Sequence, residues 1–251
     1  MSDLGGNYIM REIVAGTIIS DEVLWKYFKP ERFISTLSEG YIYFASANQF
    51  EDPFEGAVAV QQPPQQTDPR YSEMETTEQA FFELKRLTKV SCWHRADYES
   101  DAMWKLYAGE HKGVAICTTP DRMRKAFKPY RLKPEYGVED LWAGPVDYVD
   151  LTQVRMKGAS MLGRFFFKHR AFEWEREFRL AISLRMAEEF AVSVPPGGIF
   201  VGVDLDILIA RIVLGSTITG EERDIISDHV AQAGLKDRLE LSSLLGRPRY
   251  I

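Results

Sequence analysis

The sequence has few of the features that mark secreted or membrane proteins. It holds only two cysteines in 251 residues, so it implies no disulfide framework, and we expect Cys92 and Cys117 to be reduced thiols in the core. No run of apolar residues is long enough to span a bilayer, and the first residues lack a basic flank followed by an apolar stretch. We therefore expect a soluble, cytoplasmic protein with no membrane partner.

An excess of positive charge is also missing, as are the usual nucleotide-binding loops. Lysine and arginine number 31 against 37 acidic residues, and the net charge of -6 gives no overall bias toward nucleic acid. Neither G-x-G-x-x-G nor G-x-x-x-x-G-K-[ST] occurs, which argues against the standard dinucleotide-binding and P-loop sites. Any anion site must therefore be local.

What is present is sufficient for one large domain. Apolar residues make up 45% of the chain, and we expect a single α+β domain over 1–251, with 1–20 a lead-in and 61–72 a flexible loop. Short strands interleave irregularly with helices, which predicts a mixed or mostly antiparallel sheet flanked by helices. The predicted strands are 23–28, 41–45, 89–93, one from Val114, 146–149, 173–183, 192–194, 199–203 and 211–214. The predicted helices are 30–40, 77–87, one from Ser100 or Asp101 to Gly113, one from Thr119, 156–167 and one from Thr219 to Gly234.

Residues 91–117 crowd aromatic rings, imidazoles and both cysteines between two apolar strands. Trp104 and Tyr107 lie one helical turn apart, so we expect them to form one aromatic face. A zinc site could be assembled from the cysteines with His94 and His111. The Cys-x-His gap is shorter than the usual spacing of zinc ligands, so no metal is expected. The two histidines are interpreted first as hydrogen-bonded, partly buried side chains.

Three parts of the sequence resemble the bacterial "domain of unknown function 2971" family. They are Lys26-Tyr27 with 40–44 and 50–55, then Ser91-Cys92 with 103–108 and His111-x-Gly113, and finally 174–179. Glu51 stands where the family pattern has Asn. The resemblance implies a bacterial protein and brings no activity with it.

The turn at 50–56 holds two carboxylates and two phenyl rings. We predict that Asp52 and Glu55 are structural before they are catalytic, since Pro53 fixes the backbone and Asp52 can accept turn amides. Phe50 and Phe54 should anchor the turn to the core.

The predicted strand 173–183 places two carboxylates and an arginine on one face. Strict alternation puts Trp174 and Phe178 on the core face and Glu175, Glu177 and Arg179 on the other. Such a face could stabilise a cationic transition state, or it could simply be solvated. The sequence leaves both interpretations open.

The order of elements resembles that of ADP-ribosyltransferases of the diphtheria-toxin and poly(ADP-ribose) polymerase type. The resemblance lies in Lys26-Tyr27 on a first strand, a helix ending at Gly40, a second strand and a late Glu-x-Glu strand, with Lys26 where those enzymes have His or Arg. It implies NAD binding, with Glu177 stabilising the oxocarbenium-like transition state and Tyr43 or Trp104 stacking on nicotinamide. The remaining catalytic candidates are Glu175, Lys26 and Arg179, and the remaining substrate-binding candidates are Tyr27, Asp52, Glu55, His94, Tyr107 and His111.

Two basic blocks, 122–133 and 155–170, contain interleaved aromatics. If they meet, they could bind nucleic acid or the phosphates of a nucleotide; otherwise they are ordinary solvated helix faces. Three hypotheses follow. The chain is an ADP-ribosyltransferase or NAD glycohydrolase acting as a toxin or defence effector, a nucleic-acid-binding or nuclease-type effector, or a non-catalytic interaction domain.

Overall fold

The structure, a computed structural model, describes residues 10–58, 71–156 and 160–245. The predicted α+β class, with a mixed and mostly antiparallel sheet, is confirmed. The chain divides into two compact units, each built from separated segments. The first unit comprises Met1–Ile18, Tyr43–Cys92 and Pro129–Phe200, and the second comprises Ile19–Ile42, Trp93–Lys128 and Val201–Ile251. The single domain over 1–251 stays a prediction, and positions 61–70 of the predicted flexible loop lie outside the described residues.

Twelve strands and seven helices make up the described regular structure, apart from short 3₁₀ turns. The strands are β1 Met10–Glu12, β2 Leu24–Phe28, β3 Tyr41–Ser46, β4 Thr88–Arg95, β5 Val114–Thr118, β6 Leu141–Pro145, β7 Asp147–Val149, β8 Phe167–His169, β9 Glu177–Ser183, β10 Ile199–Gly202, β11 Arg211–Leu214 and β12 Leu239–Leu241. The helices are α1 Pro30–Glu39, α2 Tyr71–Leu87, α3 Asp101–Tyr107, α4 Pro120–Ala126, α5 Arg185–Glu189, α6 Leu205–Leu208 and α7 Gly220–Gln232.

The first unit is built around the strand order β1-β6-β9-β4, with β3 paired to β4 and to β10. β1 runs parallel to β6, whereas β6 with β9 and β3 with β4 are antiparallel pairs. β7 and β8 form a separate parallel pair. Buried apolar side chains from α2, β4, β9 and the turn before β8 form its core, among them Leu84, Val90, Phe165, Phe166 and Ala181.

In the second unit β2 lies between the end of β4 and β5, and β11 lies between β5 and β12. Its pairs are antiparallel except β11 with β12. Trp25, Tyr27 and Trp104 form the aromatic centre of its core, together with buried Cys117. The prediction that Cys117 is a core thiol is confirmed, and burial raises the pKa of this thiol to about 12.

The starts of four helices and the end of α1 follow the local sequence signals. Pro30 opens α1, and Gly40 ends it in the left-handed conformation that glycine tolerates best. Ser100, Thr119 and Thr219 cap α3, α4 and α7 with their side-chain oxygens, as predicted. No helix in the described ranges is long and apolar enough to cross a membrane.

Several predicted elements were wrong, and each failed where tertiary contacts override local pattern. Residues 163–166 form a 3₁₀ turn followed by β8, not the end of a helix 156–167, because the run of three phenylalanines is buried and continues as strand. β9 begins only at Glu177, since Arg170–Glu175 is a 3₁₀ turn and Arg176 adopts φ 43°. α3 ends at Tyr107, well before Gly113, and 192–194 forms no strand. In α7 Ile226 and Val230 are buried, whereas Ile225 is exposed.

Candidate functional site: a buried carboxylate cluster

Arg179 stands at the centre of a buried charged cluster in the first unit. Its terminal nitrogens donate hydrogen bonds to both carboxylate oxygens of Glu55, at 2.6 and 2.9 Å, and its Nε donates to Glu177 at 2.7 Å. One terminal nitrogen also donates to the carbonyl of Phe165 at 2.6 Å. The side chains of Arg179 and Glu55 are each only 1% exposed. This arginine is therefore fully committed to partners inside the protein.

Lys168 extends the cluster toward a third carboxyl group. Its Nζ donates to Glu175 at 2.5 Å and to Glu177 at 2.9 Å, so one ammonium bridges the two. The carboxyl groups of Glu175 and Glu177 also share a hydrogen bond. The ring of Phe172 lies 4.6 Å from the Lys168 ammonium and closes one side of the site. Lys168 was not among the predicted site residues, because sequence reasoning placed it on a basic helix face.

The backbone around the cluster explains why these side chains converge. Arg176 adopts the left-handed conformation and separates the 3₁₀ turn that carries Glu175 from the strand that begins at Glu177. The backbone amide of Glu177 donates to the hydroxyl of Tyr148 at 2.7 Å, which fixes the start of β9. Glu175 and Glu177 therefore reach the same ammonium from different elements, not from one face of a strand as alternation predicted.

The turn at 50–56 delivers Glu55 to Arg179. Asp52 accepts the amide of Phe54 at 2.8 Å, as predicted for this turn, while its second carboxylate oxygen is buried with no hydrogen-bond partner among the described residues. Phe50 places its ring 5.7 Å from the Arg179 guanidinium. Phe54 is only half-buried, with its ring 5.4 Å from that of His169. The turn is thus anchored by Glu55 and Phe50 more than by Phe54.

The cluster contains three carboxyl groups and two cations. Its electrostatics decide which carboxyl group keeps a proton. Burial, the hydrogen bond that protonated Glu175 donates to Glu177 and the charge of Glu177 raise the pKa of Glu175 to about 8. Burial alone would also raise the pKa of Glu177, but the Arg179 charge, the hydrogen bond with Glu175 and the Lys168 charge hold it well below its usual range. A proton kept on Glu175 makes the cluster neutral, which is the favourable state for buried charges.

This arrangement separates the two carboxyl groups into an ionised one and a protonated one. Paired carboxyl groups with divergent pKa values are the usual basis of acid and base assignments in enzymes. Glu175 and Lys168 each keep 8% of the side chain exposed, compared with 5% for Glu177. All three side chains are therefore nearly enclosed, and Glu177 is a negative charge held in place by Arg179 and Lys168.

The predicted aromatic and imidazole residues of the second unit form a packed core. Trp104 is fully buried, and its indole nitrogen donates to Glu99 at 3.0 Å. Tyr27 packs edge-on against Trp104, and its hydroxyl accepts the amide of Ser100. The imidazole of His111 stacks on the Trp104 ring, with 6.2 Å between the ring centroids, and its Nε2 lies 3.0 Å from the carboxylate of Asp101. Since Trp104 is enclosed, it offers no face on which nicotinamide could stack.

The remaining predicted residues divide between the two units. Tyr107 is largely exposed, so the expected shared face with Trp104 is wrong: the helix turns one ring inward and the other outward. Lys26 places its ammonium 5.2 Å from the ring of Trp93, and His94 is buried beside the β2 pairing. Tyr43 donates to Gln49 and accepts the amide of Gly198, so its hydroxyl is held within the first unit.

Several cationic side chains of the two basic blocks are engaged in contacts within the protein. Arg122 donates to three backbone carbonyls of the segment 206–209, and Lys125 pairs with Asp121. In the second block, Lys168 is buried in the carboxylate cluster and the Arg164 guanidinium lies 5.2 Å from Phe81. A nucleic-acid surface stays a prediction with fewer available cations than the sequence suggested.

Lys89 is a second buried cation that the sequence did not single out. Its Nζ donates to the hydroxyl of Ser46 and to the carbonyls of Arg86, Pro195 and Gly197, at 2.5 to 2.8 Å. Burial and the nearby Arg86 charge lower the pKa of this lysine to about 8. It holds the 195–197 turn to β3 and α2 and is fully enclosed.

Among the residues that the structure describes, no group of three or more His, Cys, Asp or Glu side chains could hold a metal ion. Comparison of the chain with family models, with curated proteins and with solved structures finds no match. The case for a function therefore depends on the cluster around Arg179.

Proposed function

We propose that this protein is an enzyme that breaks a glycosidic bond by carboxylate catalysis, with NAD as its substrate and ADP-ribosyl transfer or NAD hydrolysis as its reaction. The observation that supports the proposal is the buried pair of Glu175 and Glu177, joined by Lys168, in which one carboxyl group keeps a proton and the other is ionised. The choice of NAD follows the resemblance in element order to ADP-ribosyltransferases.

The chemistry of NAD assigns different tasks to the two carboxyl groups. When the bond between ribose C1′ and the nicotinamide nitrogen breaks, the nitrogen keeps the electron pair and leaves as a neutral ring, so no general acid is needed. Positive charge develops on the ribose, and a fixed negative charge such as Glu177 stabilises it. The incoming oxygen then forms a bond to C1′ and must lose its proton to a base. A group with a pKa near the working pH suits that task, and Glu175 is the one that meets this condition.

Arg179, Glu55 and Lys168 act as positioning residues in this scheme. Arg179 holds Glu177 ionised and is itself fixed by Glu55, while Lys168 holds the two catalytic carboxyl groups together. In this scheme Glu175 takes the proton-transfer role, and Arg179, a catalytic candidate from the sequence, positions Glu177.

The test is the release of nicotinamide and the transfer of label from radiolabelled NAD, measured for wild type, Glu175→Gln and the matched variant Glu173→Gln. Glu173 is exposed in the same 3₁₀ turn, so its substitution controls for local changes. Glutamine mimics the protonated form of Glu175, and we expect turnover to fall about 100-fold or more, as for loss of a general base elsewhere. The wild-type rate should rise with pH until about 8, where Glu175 becomes ionised.

Glu173→Gln should retain the wild-type rate. Equal turnover for Glu175→Gln and wild type would remove Glu175 from the chemistry. The absence of both nicotinamide release and calorimetric NAD binding for the wild-type protein would refute NAD as the substrate.

A further inference from the structure

A cleft in the first unit lies apart from the residues used in the proposed reaction. Its volume is about 720 Å³, within the range of about 300 to 1,000 Å³ typical of sites for small ligands. The segment 132–142 lines one side of it, and Ser183 with residues of α5 and the chain after it lines the other. Its lining includes the large side chains of Tyr136, Trp142, Met186 and Phe190.

Glu139 places a carboxyl group in a lining that also includes Asp140 and Ser183. Its backbone amide is used by the carbonyl of Tyr130 at 2.9 Å, but within the described ranges no cation or hydrogen-bond donor contacts its side chain. Burial, with a smaller contribution from the charge of Asp140, raises the pKa of Glu139. A half-buried carboxylate without a partner is unfavourable, and a ligand that supplied a positive charge would relieve this.

Two aromatic rings that line the cleft face cations of the protein itself, since Lys133 places its ammonium 5.7 Å from the ring of Tyr136. Trp142 already holds one, since the guanidinium of Arg11 lies 5.6 Å from its ring and also pairs with Asp140 at 3.1 Å. The rim of the cleft thus shows, within the protein itself, how an indole and a carboxylate together hold a guanidinium. Glu139, adjacent in sequence to Asp140, repeats the carboxylate half of that arrangement with no cation in place.

Phe190 strengthens the case that the cleft receives a ligand with an apolar body. It lines the cleft and is nevertheless 74% exposed, and Met186 beside it in α5 is also largely exposed. Large apolar side chains left in water at the edge of a concave surface gain free energy when a ligand covers them.

We propose that this cleft is a binding site for a small organic cation, an ammonium or guanidinium group attached to an aromatic or aliphatic body. The cationic group pairs with Glu139, and the apolar body lies against Phe190 and Met186. The site is independent of the carboxylate cluster and of the reaction proposed for it.

The experiment compares 2-phenylethylammonium with 2-phenylethanol, which has the same body and no charge, by calorimetry and ligand-observed NMR on the whole chain. We expect the cation to bind and the alcohol to bind at least about 10-fold more weakly, as loss of one charge-assisted contact implies. Glu139→Gln should reduce affinity for the cation by a similar factor and leave the alcohol unaffected. Phe190→Ala should weaken both probes, because it removes apolar contact and no charge.

Glu135→Gln is the matched control, since Glu135 is exposed four residues earlier and does not line the cleft. It should bind both probes as the wild type does. Equal affinity for the cation and the alcohol, an unchanged affinity in Glu139→Gln, or no binding of either probe at about 10 mM would each overturn the proposal. Glu175→Gln should bind the cation normally, so this result stands or falls separately from NAD turnover.

Discussion

Arg179 donates two hydrogen bonds to Glu55, a residue 124 positions earlier in the chain, and both side chains are almost completely buried. This bidentate pair joins the 50–56 turn to β9 and fixes the guanidinium that also contacts Glu177. Because the same arginine serves both carboxylates, the geometry of the proposed catalytic pair depends on a turn far away in sequence.

The first prediction concerns the strength of this pair. Arg179→Met and Glu55→Leu should each destabilise the protein by about 3 to 5 kcal/mol, because the first leaves Glu55 buried without its cation and the second leaves the buried cluster with an excess positive charge. The double variant should lose less than the sum of the two, by about 1 to 3 kcal/mol, since neither charge then remains. Urea unfolding of the four proteins measures the coupling.

The exposed pair of Arg11 and Asp140 provides the control for that cycle, with side chains 53% and 50% exposed. Its coupling should be no more than about 1 kcal/mol. Additive effects in the buried pair would show that Arg179 and Glu55 do not stabilise each other.

The second prediction is a pH dependence of stability that originates in Glu175. Its pKa is about 8 in the folded protein against an ordinary value of 4.5, so the folded state binds the extra proton between these limits. The stabilisation is therefore fully present below pH 4.5 and is lost as pH rises through about 8. Glu175→Gln cannot lose a proton, so its stability relative to wild type should increase steadily from about pH 5 to 8.

Thermal melts of the two proteins across this range are sufficient, with Glu173→Gln as the reference for an exposed glutamate in the same turn. A constant difference between wild type and Glu175→Gln would mean that Glu175 titrates normally.

The third prediction separates backbone strain from steric exclusion at Gly56. Its φ is 72°, and a methyl group added there would lie 2.7 Å from the ring of Phe165. Gly16 has a similar φ of 78° with nothing within 4 Å of the same position. Gly16→Ala should cost about 1 to 2 kcal/mol from the left-handed backbone alone, and Gly56→Ala about 1 to 3 kcal/mol more.

Both glycines can be compared by denaturant midpoint under the same conditions. If the two substitutions were equally costly, the contact between the turn and Phe165 would be loose enough to adjust, and the tight packing inferred for Gly56 would be wrong.

The fourth prediction concerns Lys89. Lys89→Met removes the donor shared by one hydroxyl and three carbonyls, and should destabilise the protein by about 1 to 3 kcal/mol at neutral pH. Because the folded pKa is about 8 against 10.5 normally, the contribution of the neutral lysine is present above pH 10.5 and lost as pH falls through about 8. Wild type should therefore gain stability relative to the variant from pH 8 upward.

Lys125→Met, which alters an exposed lysine paired with Asp121, should show no comparable trend. A difference between wild type and Lys89→Met that does not change with pH would place the Lys89 pKa at its ordinary value.

Much of the local structure followed from the sequence. Pro30 and Gly40 delimit α1, and the capping residues Ser100, Thr119 and Thr219 begin their helices where predicted, because these signals act through the backbone within a few residues. The turn at 50–56 was predicted with its Asp52 hydrogen bond for the same reason.

The sequence by itself determined the α+β class, the starts of α1, α3, α4 and α7, and the candidate residues Glu55, Glu175, Glu177 and Arg179, since periodicity and capping are encoded over a few neighbouring positions. Only the tertiary structure decided that these residues are buried together, that Lys168 joins them, and that Arg176 interrupts the strand on which alternation had placed both glutamates. A charge is placed inside a protein by partners distant in sequence, which no local pattern specifies.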